Sequence, residues 1–470
     1  MKDDNYFCLK LIVEMTEKIV MTREKMREWI WAHKKDKFMD LSNWDVSNVT
    51  DMHNMFGNSF LYISVEKLNL SNWDVSNVTN MYRMFAGCES LKELDLSNWN
   101  VSKVTNMYSM FWGCKSLKVL NASNWDVSKV RDMSEMFRNC KSLEELNISN
   151  WNVSNVRDMS HMFRDCSSLK ELNVSSWNVS KVESMRYMFA NCAMLKELDV
   201  SNWDVSNVAN MSEMLRNCES LKELSISNWD VSSVTNMEYM FDNCSSLKEL
   251  NISNWDASRV KYMGGMFNYC SSLKELDVSK WNVSNVTDIY DMFDGCRSLE
   301  RLDISNWDVS HVKYMGGMFY GCRSLKELNV SSWNVSNVKN MYSMFRDCTS
   351  LKKLNLSNWD ASNVEDMVNM FYNCLSLERL DLSNWDVSRV GKMGGMFANC
   401  SSLKKIIVHD LSKNTIDAFT KTTHINPNVI FDSCEQLQHD FQQLKADYKE
   451  LCEQYMLLKQ YMDRLEQANH

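Results

Sequence analysis

The chain has little of what interrupts regular structure or carries catalysis. Twelve glycines and one proline among 470 residues are too few for a loop-rich fold, so the turns must be short and alike. Eight histidines are scattered singly, and neither a glycine-rich phosphate loop nor a metal-spaced His/Cys group occurs. We therefore expect no enzymatic activity, no cofactor and no bound metal.

Long apolar runs are also missing. No segment approaches the roughly 20 apolar residues that a membrane span needs. The opening residues, MKDDNYFCLKLIVEM, carry two acids where a secretory signal carries positive charge. The net charge of -9 gives no electrostatic reason to expect nucleic acid as a partner. We expect no membrane span and no nucleic-acid binding. We also expect the protein to be in the cytoplasm or on a particle assembled there, rather than secreted by the classical route.

What the chain does contain is a repeat. Tryptophans recur every 26 residues from Trp73 to Trp385, and Trp44 precedes Trp73 by 29 residues. A fixed period of this length is typical of a solenoid, in which each repeat buries its apolar face only by stacking on its neighbours. We predict an α/β solenoid of about 14 such repeats.

The pattern inside one repeat predicts its local structure. Leu91, Leu94 and Leu96 have the L-x-x-L-x-L spacing of a short strand with two leucines on one side. Five other apolar positions are spaced 3, 3, 1 and 3, which predicts a helix or 3₁₀ return: Val78, Met81, Met84, Phe85 and Cys88. Successive strands should form one parallel sheet with right-handed crossovers, as in a leucine-rich repeat.

The repeated tryptophans and sulfur-bearing residues have functional alternatives. Thirteen of the 16 cysteines, Cys88 to Cys400, occupy one phase of the repeat and are interpreted as buried reduced thiols rather than disulfides. The Met-x-x-Met-Phe-x-x-Cys column suggests Cu(I) only weakly, because flexible thioethers also fill a narrow core. A tryptophan platform for glycans is the alternative to core packing of the indoles.

Both ends depart from the repeat, and we divide the chain into residues 1–40 (N-terminal segment and capping helix), 41–410 (solenoid), 411–431 (linker or C-terminal cap) and 432–468 (coiled-coil helix). The capping helix should begin after Thr22 and extend to Asp36. Near the C-terminus, apolar residues alternate spacings of 4 and 3 and predict an oligomerising coiled coil: Leu437, Phe441, Leu444, Tyr448, Leu451, Tyr455, Leu458, Met462 and Leu465. The alternative is a helix folded back onto the solenoid.

The segment SNWDVSNVTNMYRMFAGCESLKELDLSNW resembles the repeat of BspA-like leucine-rich-repeat surface proteins. The shared pattern is D-x-S-x-V-x-x-M-x-x-M-F-x-x-C-x-x-L-x-x-L-x-L, and it covers about Leu41 to Val408. The resemblance implies a non-catalytic surface protein that functions in adhesion and protein binding. This chain departs from such proteins in having neither a recognisable lipoprotein or secretion signal nor a wall anchor.

Two exposed surfaces are candidate binding faces. The strand face carries an acidic column that we propose as a partner-binding face: Glu145, Glu171, Glu197, Glu223, Glu249, Glu275, Asp199 and Asp277. Stacked like charges favour a basic partner or Ca²⁺, unless the neighbouring lysines compensate: Lys92, Lys170, Lys196, Lys222, Lys248 and Lys274. The return side carries exposed aromatics: Tyr82, Trp112, Tyr187, Tyr239, Tyr269, Tyr320 and Tyr372.

These features predict a non-enzymatic binding or adhesion protein, made a homo-oligomer by its C-terminal helix so that weak sites act together. The ligand is a protein or a glycan that the sequence does not identify. The alternative function is an intracellular scaffold for protein–protein interaction.

Overall fold

The computed structural model describes residues 18–57, 63–409, 413–420, 423–433, 442–456 and 459. Its repeats form a parallel β-solenoid of about 15 turns, which confirms the predicted stacking. The helices in the described part are α1 (Arg23–Ala32), α2 (Lys413–Thr420) and α3 (442–456). The strands are β1 (Ile19–Val20), β2 (Phe38–Asp40), β3 (Trp44–Asp45), β4 (Lys67–Asn69), β5 (Glu93–Asp95), β6 (Val119–Asn121), β7 (Glu145–Asn147), β8 (Glu275–Leu276), β9 (Arg301–Leu302), β10 (Glu327–Leu328), β11 (Lys353–Leu354), β12 (Arg379–Asp381), β13 (Lys405–Val408) and β14 (Ile430–Ser433).

The strand side of the solenoid is parallel but is not one continuous sheet. Described strands of two to four residues pair in separate groups, of which β2-β4-β5-β6-β7 is the largest. Partners lie one repeat apart, as in Glu93↔Val119 and Leu94↔Leu120. Between the groups, single backbone bonds such as Lys196 N–H to Lys170 C=O (3.1 Å) continue the alignment. The expectation of one sheet is therefore wrong in detail, because strands this short make too few bonds per turn to sustain it.

The return segments, residues 80–88 of the repeat that follows Trp73 and their equivalents, carry the continuous ladder instead. Parallel bridges link each turn to the next from Asp51↔Asn80 to Asp366↔Lys392. In a standard turn the N–H groups of Met81 and Phe85 donate to the carbonyls of Asn106 (3.0 Å) and Met110 (2.9 Å) in the next turn. We call this the return ladder.

The predicted helical return is wrong. The segment closes as successive tight turns, in which Met84 N–H donates to Met81 C=O (3.1 Å) and Cys88 N–H to Phe85 C=O (3.1 Å). Left-handed residues stand at two phases of the return ladder, as at Arg83 (φ 51°) and Gly87 (φ 78°), and they prevent the consecutive right-handed residues that a helix requires. The apolar spacing of three arises because each turn closure directs a side chain inward.

The core is a set of apolar columns that run along the solenoid axis. The phenylalanine rings stack at 5.4 Å between Phe85 and Phe111, and the indoles at 6.4 Å between Trp99 and Trp125. The Trp125 indole N–H donates to the Leu96 carbonyl of the preceding turn (3.1 Å). Most of the equivalent tryptophans make the same bond. These side chains face inward and are buried, so the platform interpretation of the tryptophans is wrong.

The cysteine column lies in the same core. The described thiols from Cys88 to Cys400 are buried and free, which confirms their interpretation as reduced thiols. Burial raises the pKa of Cys88 to about 12. The Cys114 thiol lies 3.3 Å from the Phe85 carbonyl oxygen, to which it donates. The column therefore adds packing and a weak turn-to-turn bond.

Additional segments cover both ends of the solenoid. At the N-terminal end, the Thr22 side chain caps α1, Met26 and Ile30 are buried, and Trp29 meets Trp44 edge-on at 5.3 Å. The helix ends at Ala32, four residues before the predicted end. At the C-terminal end, β14 pairs with β13, and Phe419 of α2 contacts Phe397 with ring centroids 6.4 Å apart.

Candidate functional site

The predicted acidic column lies on the strand face and is solvent-exposed along its length. Each of the six glutamates, from Glu145 to Glu275, has an exposed side chain. Glu171 and Glu197 are direct bridge partners, so their like charges lie opposite each other in adjacent turns. Such a pair is unfavourable unless an ion or a partner compensates it.

In the described chain none of the neighbouring lysines forms an ion pair with a glutamate of this column. Lys92 lies 2.6 Å from Glu66, and Lys170 lies 3.9 Å from Glu144. Glu275 faces Arg301 at 3.8 Å, where the column changes sign. In the described chain the other predicted compensators form no ion pair within 4.0 Å: Lys196, Lys222, Lys248 and Lys274. The centre of the column therefore presents carboxylates without direct partners.

The two aspartates of the predicted face have a local structural role. Asp199 accepts hydrogen bonds from the backbone N–H (3.1 Å) and the hydroxyl (2.7 Å) of Ser201, and Asp277 bonds Ser279 in the same way. These bonds lower the pKa of both carboxyl groups. The aspartates close the corner after the strand, while they remain exposed beside the glutamates.

The predicted aromatics of the return side do not form one band. All of them except Tyr269 lie beside arginines, because residues at equivalent phases of adjacent turns are neighbours. The Arg83 guanidinium lies 5.5 Å from the Tyr82 ring and 5.9 Å from the Trp112 ring. The Arg346 guanidinium lies 5.3 Å from the ring of Tyr320 and 4.7 Å from that of Tyr372.

A third group surrounds Tyr187. His161 stacks on this ring at 4.6 Å, and the Arg164 guanidinium lies at the same distance from it. Burial, together with Arg138 and Arg164, lowers the pKa of His161 to about 4, so the imidazole is neutral at pH 7. The ring face of Tyr187 thus contacts Arg164, whose buried Nε has no hydrogen-bond partner among the described residues.

Sequence reasoning missed the return-ladder residues around 288–294. This turn carries Asp288, Tyr290, Asp291 and Asp294, and glycine pairs occupy the adjacent turns at 264–265 and 316–317. The motif Lys-Tyr-Met-Gly-Gly-Met-Phe, at 261–267 and again at 313–319, was the available signal. It marks two turns where the return ladder loses its outward side chains.

The coiled-coil seam can be located in part. Four of its residues lie on the described part of α3 and are 63–69% exposed: Leu444, Tyr448, Leu451 and Tyr455. The described part of α3 buries none of these four side chains against the solenoid. The remaining predicted positions lie outside the described residues: Leu437, Phe441, Leu458, Met462 and Leu465.

The described chain has neither a metal-holding cluster nor a membrane-spanning helix. No group of three or more His, Cys, Asp or Glu side chains there is arranged to hold a metal ion. None of its helices is long and apolar enough to cross a membrane.

Stacked 26-residue turns with an L-x-x-L-x-L strand define this protein as a repeat solenoid of the leucine-rich type. More particularly, the chain belongs to the family described as "Mycoplasma protein of unknown function, DUF285", which it matches over residues 24–120, 116–224, 190–302, 216–327 and 288–410. Comparison with curated proteins gave no match.

Several solved structures are similar to this chain. A leucine-rich cell surface protein from Faecalibacterium prausnitzii is 17% identical over 73% of this chain and 84% of its own, with a TM-score of 0.36. An LRR protein from Leptospira interrogans is 14% identical over 85% and 94%, with a TM-score of 0.26. A chain of the Drosophila Toll–Spatzle complex is 11% identical over 84% of this chain and 49% of its own, with a TM-score of 0.27. This chain thus spans about half of the last one, and these low scores have no bearing on what it binds.

Proposed function

We propose that this chain is a non-enzymatic binding protein whose solenoid presents recognition surfaces and whose C-terminal helix joins several copies. The observation that carries the proposal is the exposed seam of α3. Leu444 is 66% exposed and Leu451 is 63% exposed, although both are apolar and recur at heptad spacing. A second copy of the helix would bury this stripe, and several weakly binding solenoids would then act together.

The strand-face glutamates are the proposed surface for a basic protein partner. Their support is the central run of exposed carboxylates without direct ion pairs, from Glu171 to Glu249. Calcium is a weaker candidate, because the described side chains form no metal-holding group. Calorimetric titration with polylysine and with Ca²⁺ tests this. We expect heat of binding from polylysine alone. If neither titrant gives heat, the glutamates are solvent-exposed charges without a ligand, and the proposed binding face is wrong.

Oligomerisation is tested on the full chain by sedimentation equilibrium. Leu451→Asp places a charge in the seam and should convert the oligomer to a monomer. Lys449→Asp changes an exposed residue outside the seam and should leave the assembly intact. A monomeric unmodified chain, or equal behaviour of the two variants, would contradict the proposal.

The resemblance to BspA-like proteins supports adhesion as the biological setting, and an intracellular scaffold is the second candidate. The same surfaces would serve either role. Labelling intact cells or particles with a membrane-impermeant reagent separates the two, since an adhesin must be accessible from outside. Complete protection of the protein before lysis would exclude adhesion.

A further inference from the structure

The helix that covers the N-terminal end of the solenoid is joined to the first turn through a histidine. The Nη2 atom of Arg23, in α1, lies 2.6 Å from Nε2 of His53 and 2.8 Å from the His53 carbonyl oxygen. On the other side of the ring, Nδ1 of His53 lies 2.7 Å from a carboxylate oxygen of Asp51. We call Arg23, His53 and Asp51 the cap contact.

These distances assign the protonation state of His53. A guanidinium group has only donors, so Nε2 must accept the bond from Arg23 and carries no proton. Burial would raise the pKa of Asp51, but hydrogen bonds from the backbone and the ring of His53 outweigh it and lower the pKa. The carboxylate is therefore ionised and only accepts, so Nδ1 carries the proton that it donates. The cap contact thus requires a neutral imidazole.

A second proton on the ring opposes this arrangement. It places an N–H group on Nε2, directed at the Arg23 guanidinium, and it brings two positive charges within hydrogen-bonding distance. The bond from Arg23 to the His53 carbonyl does not depend on that proton. Protonation therefore weakens the attachment of α1 and leaves part of it in place.

The carboxylate of Asp51 does not cancel this effect. Asp51 belongs to the same turn as His53 and accepts a bond from the His53 backbone N–H (3.0 Å). It therefore stays beside the ring whether or not α1 is docked. Arg23 is the group whose distance from the ring changes when α1 moves.

Other charged or titratable groups approach the cap contact from α1 and from the second turn. They carry charges of both signs: Glu24, Arg27 and Glu28 of α1, which line a cavity beside Asn54, and Tyr82 and Arg83 of the second turn. None of them forms a hydrogen bond or an ion pair with the His53 ring in the part of the chain that the structure describes. Arg23 and Asp51 are thus the direct partners of this imidazole.

The attachment of α1 decides whether the apolar end of the solenoid is covered. The first turn stacks only on the turn that follows it, and α1 and β1 cover its other side. Trp44, Met55 and Phe56 would lose this cover if α1 left. An isolated helix of ten residues is marginal in water, so α1 depends on docking for its stability. A modest change in the cap contact therefore changes how often α1 opens.

We propose that the cap contact is a pH-sensitive lock, which holds α1 on the solenoid end when His53 is neutral and releases it more often when His53 takes up a proton. Imidazole ordinarily titrates near about 6.5, and the bond from Arg23 exists only with the neutral ring. Docking is therefore favoured above this range and weakened as pH falls through it. The lock does not depend on oligomerisation or on the strand-face glutamates.

Hydrogen exchange of the full chain tests the lock. Peptides that cover residues 19–36 are compared at pH 7.5 and pH 5.0 after correction for the intrinsic exchange rate. Peptides from 229–280, which contain no histidine, are the internal control. We expect the protection of α1 to fall about tenfold at pH 5.0, because a bond from a charged donor is lost, while the control peptides change less. Unchanged protection of α1, or an equal loss in the control peptides, would overturn the proposal.

Substitutions of His53 separate the bond from the rest of the ring. His53→Gln does not titrate, and its amide oxygen can accept the bond that Nε2 accepts, so α1 should stay protected at pH 5.0. In His53→Asn the amide lies closer to the main chain and does not reach Arg23, so α1 should be less protected than in His53→Gln at pH 7.5. A wild-type loss on acidification in His53→Gln, or equal protection in the two variants at pH 7.5, would refute the lock.

A second histidine at this end of the chain supplies the matched control. His33 caps the C-terminus of α1, and its Nδ1 lies 2.8 Å from the Trp29 carbonyl oxygen. Nδ1 carries the proton of this bond in both charge states of the ring, so His33→Gln should keep the pH dependence of the wild type. Equal melting temperatures at pH 7.5 show that the variants are folded. If His33→Gln abolishes the pH dependence, the sensor is the helix C-terminus and the proposal is wrong.

Discussion

Replacing Trp125 and Trp99 by phenylalanine separates the two contributions of the indole column to stability. The residues occupy adjacent turns, are 2% and 3% exposed, and lie at 6.4 Å and 6.2 Å from the equivalent phenylalanine rings. They differ in one contact. The Trp125 indole N–H donates to the Leu96 carbonyl (3.1 Å), whereas the Trp99 indole N–H has no partner in the described chain.

The expected magnitudes follow from that difference. Each substitution removes similar buried aromatic area, worth roughly 1 kcal/mol. Trp125→Phe also loses a hydrogen bond worth about 1 kcal/mol, although Leu96 keeps its bond from the Trp99 backbone N–H (3.1 Å). Trp99→Phe removes an unsatisfied buried donor, which offsets about 1 kcal/mol or more of its area loss. We therefore expect Trp125→Phe to destabilise the chain by about 2 kcal/mol and Trp99→Phe to be nearly neutral.

Urea unfolding followed by far-UV circular dichroism measures the difference. Hydrogen exchange of peptides from turns 91–140 is needed as well, because a repeat array can open locally. If both variants keep the m-value of the wild type, they expose the same surface area on unfolding, and their free energies can be compared directly. Equal destabilisation by both substitutions would refute the reasoning, since it would mean that the inter-turn indole bond contributes nothing measurable.

Three further predictions concern other parts of the solenoid. Burial raises the pKa of Asp294 to about 7, so ionisation of this carboxyl destabilises the fold as pH rises above the unfolded-state pKa near 3.8. Asp294→Asn should therefore raise the free energy of unfolding by on the order of 2 kcal/mol at pH 8 and by less at pH 4, as followed by melting temperature. A gain that does not depend on pH would contradict this. Asn191 has a φ of 64°, and its side-chain amide donates to Asp165 (2.5 Å) and accepts from Asn217 (2.6 Å). Asn191→Ala loses these bonds and strains the backbone, so it should cost about 1 kcal/mol more in urea unfolding than Asn191→Gly, which loses only the bonds. A thiol reagent should label Cys452 in the native chain but leave the thirteen column thiols unmodified until denaturant is added. Because Cys8 and Cys434 lie outside the described residues, at most three native sites are expected. Labelling of more than three would show that the core opens readily.

The inward side of each turn could be predicted from the sequence. Trp99, Met107, Phe111 and Cys114 recur at one period and are buried, since a stacked repeat can bury its apolar face only against identical neighbours. The outward position of the glutamate column followed from alternation along the strand. The capping role of Thr22 also followed from local chemistry.

The local conformation of the return segment could not be derived in the same way. Its spacing of three is compatible with a 3₁₀ turn, and the left-handed phase at Arg83 carries many residue types, so it leaves no clear signal. The Gly, Asn and Asp residues at the phase of Gly87 were a usable sign of positive φ that the helical interpretation overlooked. The handedness of the stack and the assembly of α3 remain predictions.

The sequence by itself determined the period, the stacking and the composition of the core, because these depend on which side chains recur and on the need to bury them. Only the tertiary structure decided which outward groups meet. Asp242 lies against Arg216, whereas Asp291 leans over Gly317 and faces no cation in the described chain. Contacts of this kind depend on how side chains lean between turns, and a period of 26 residues carries no information about that direction.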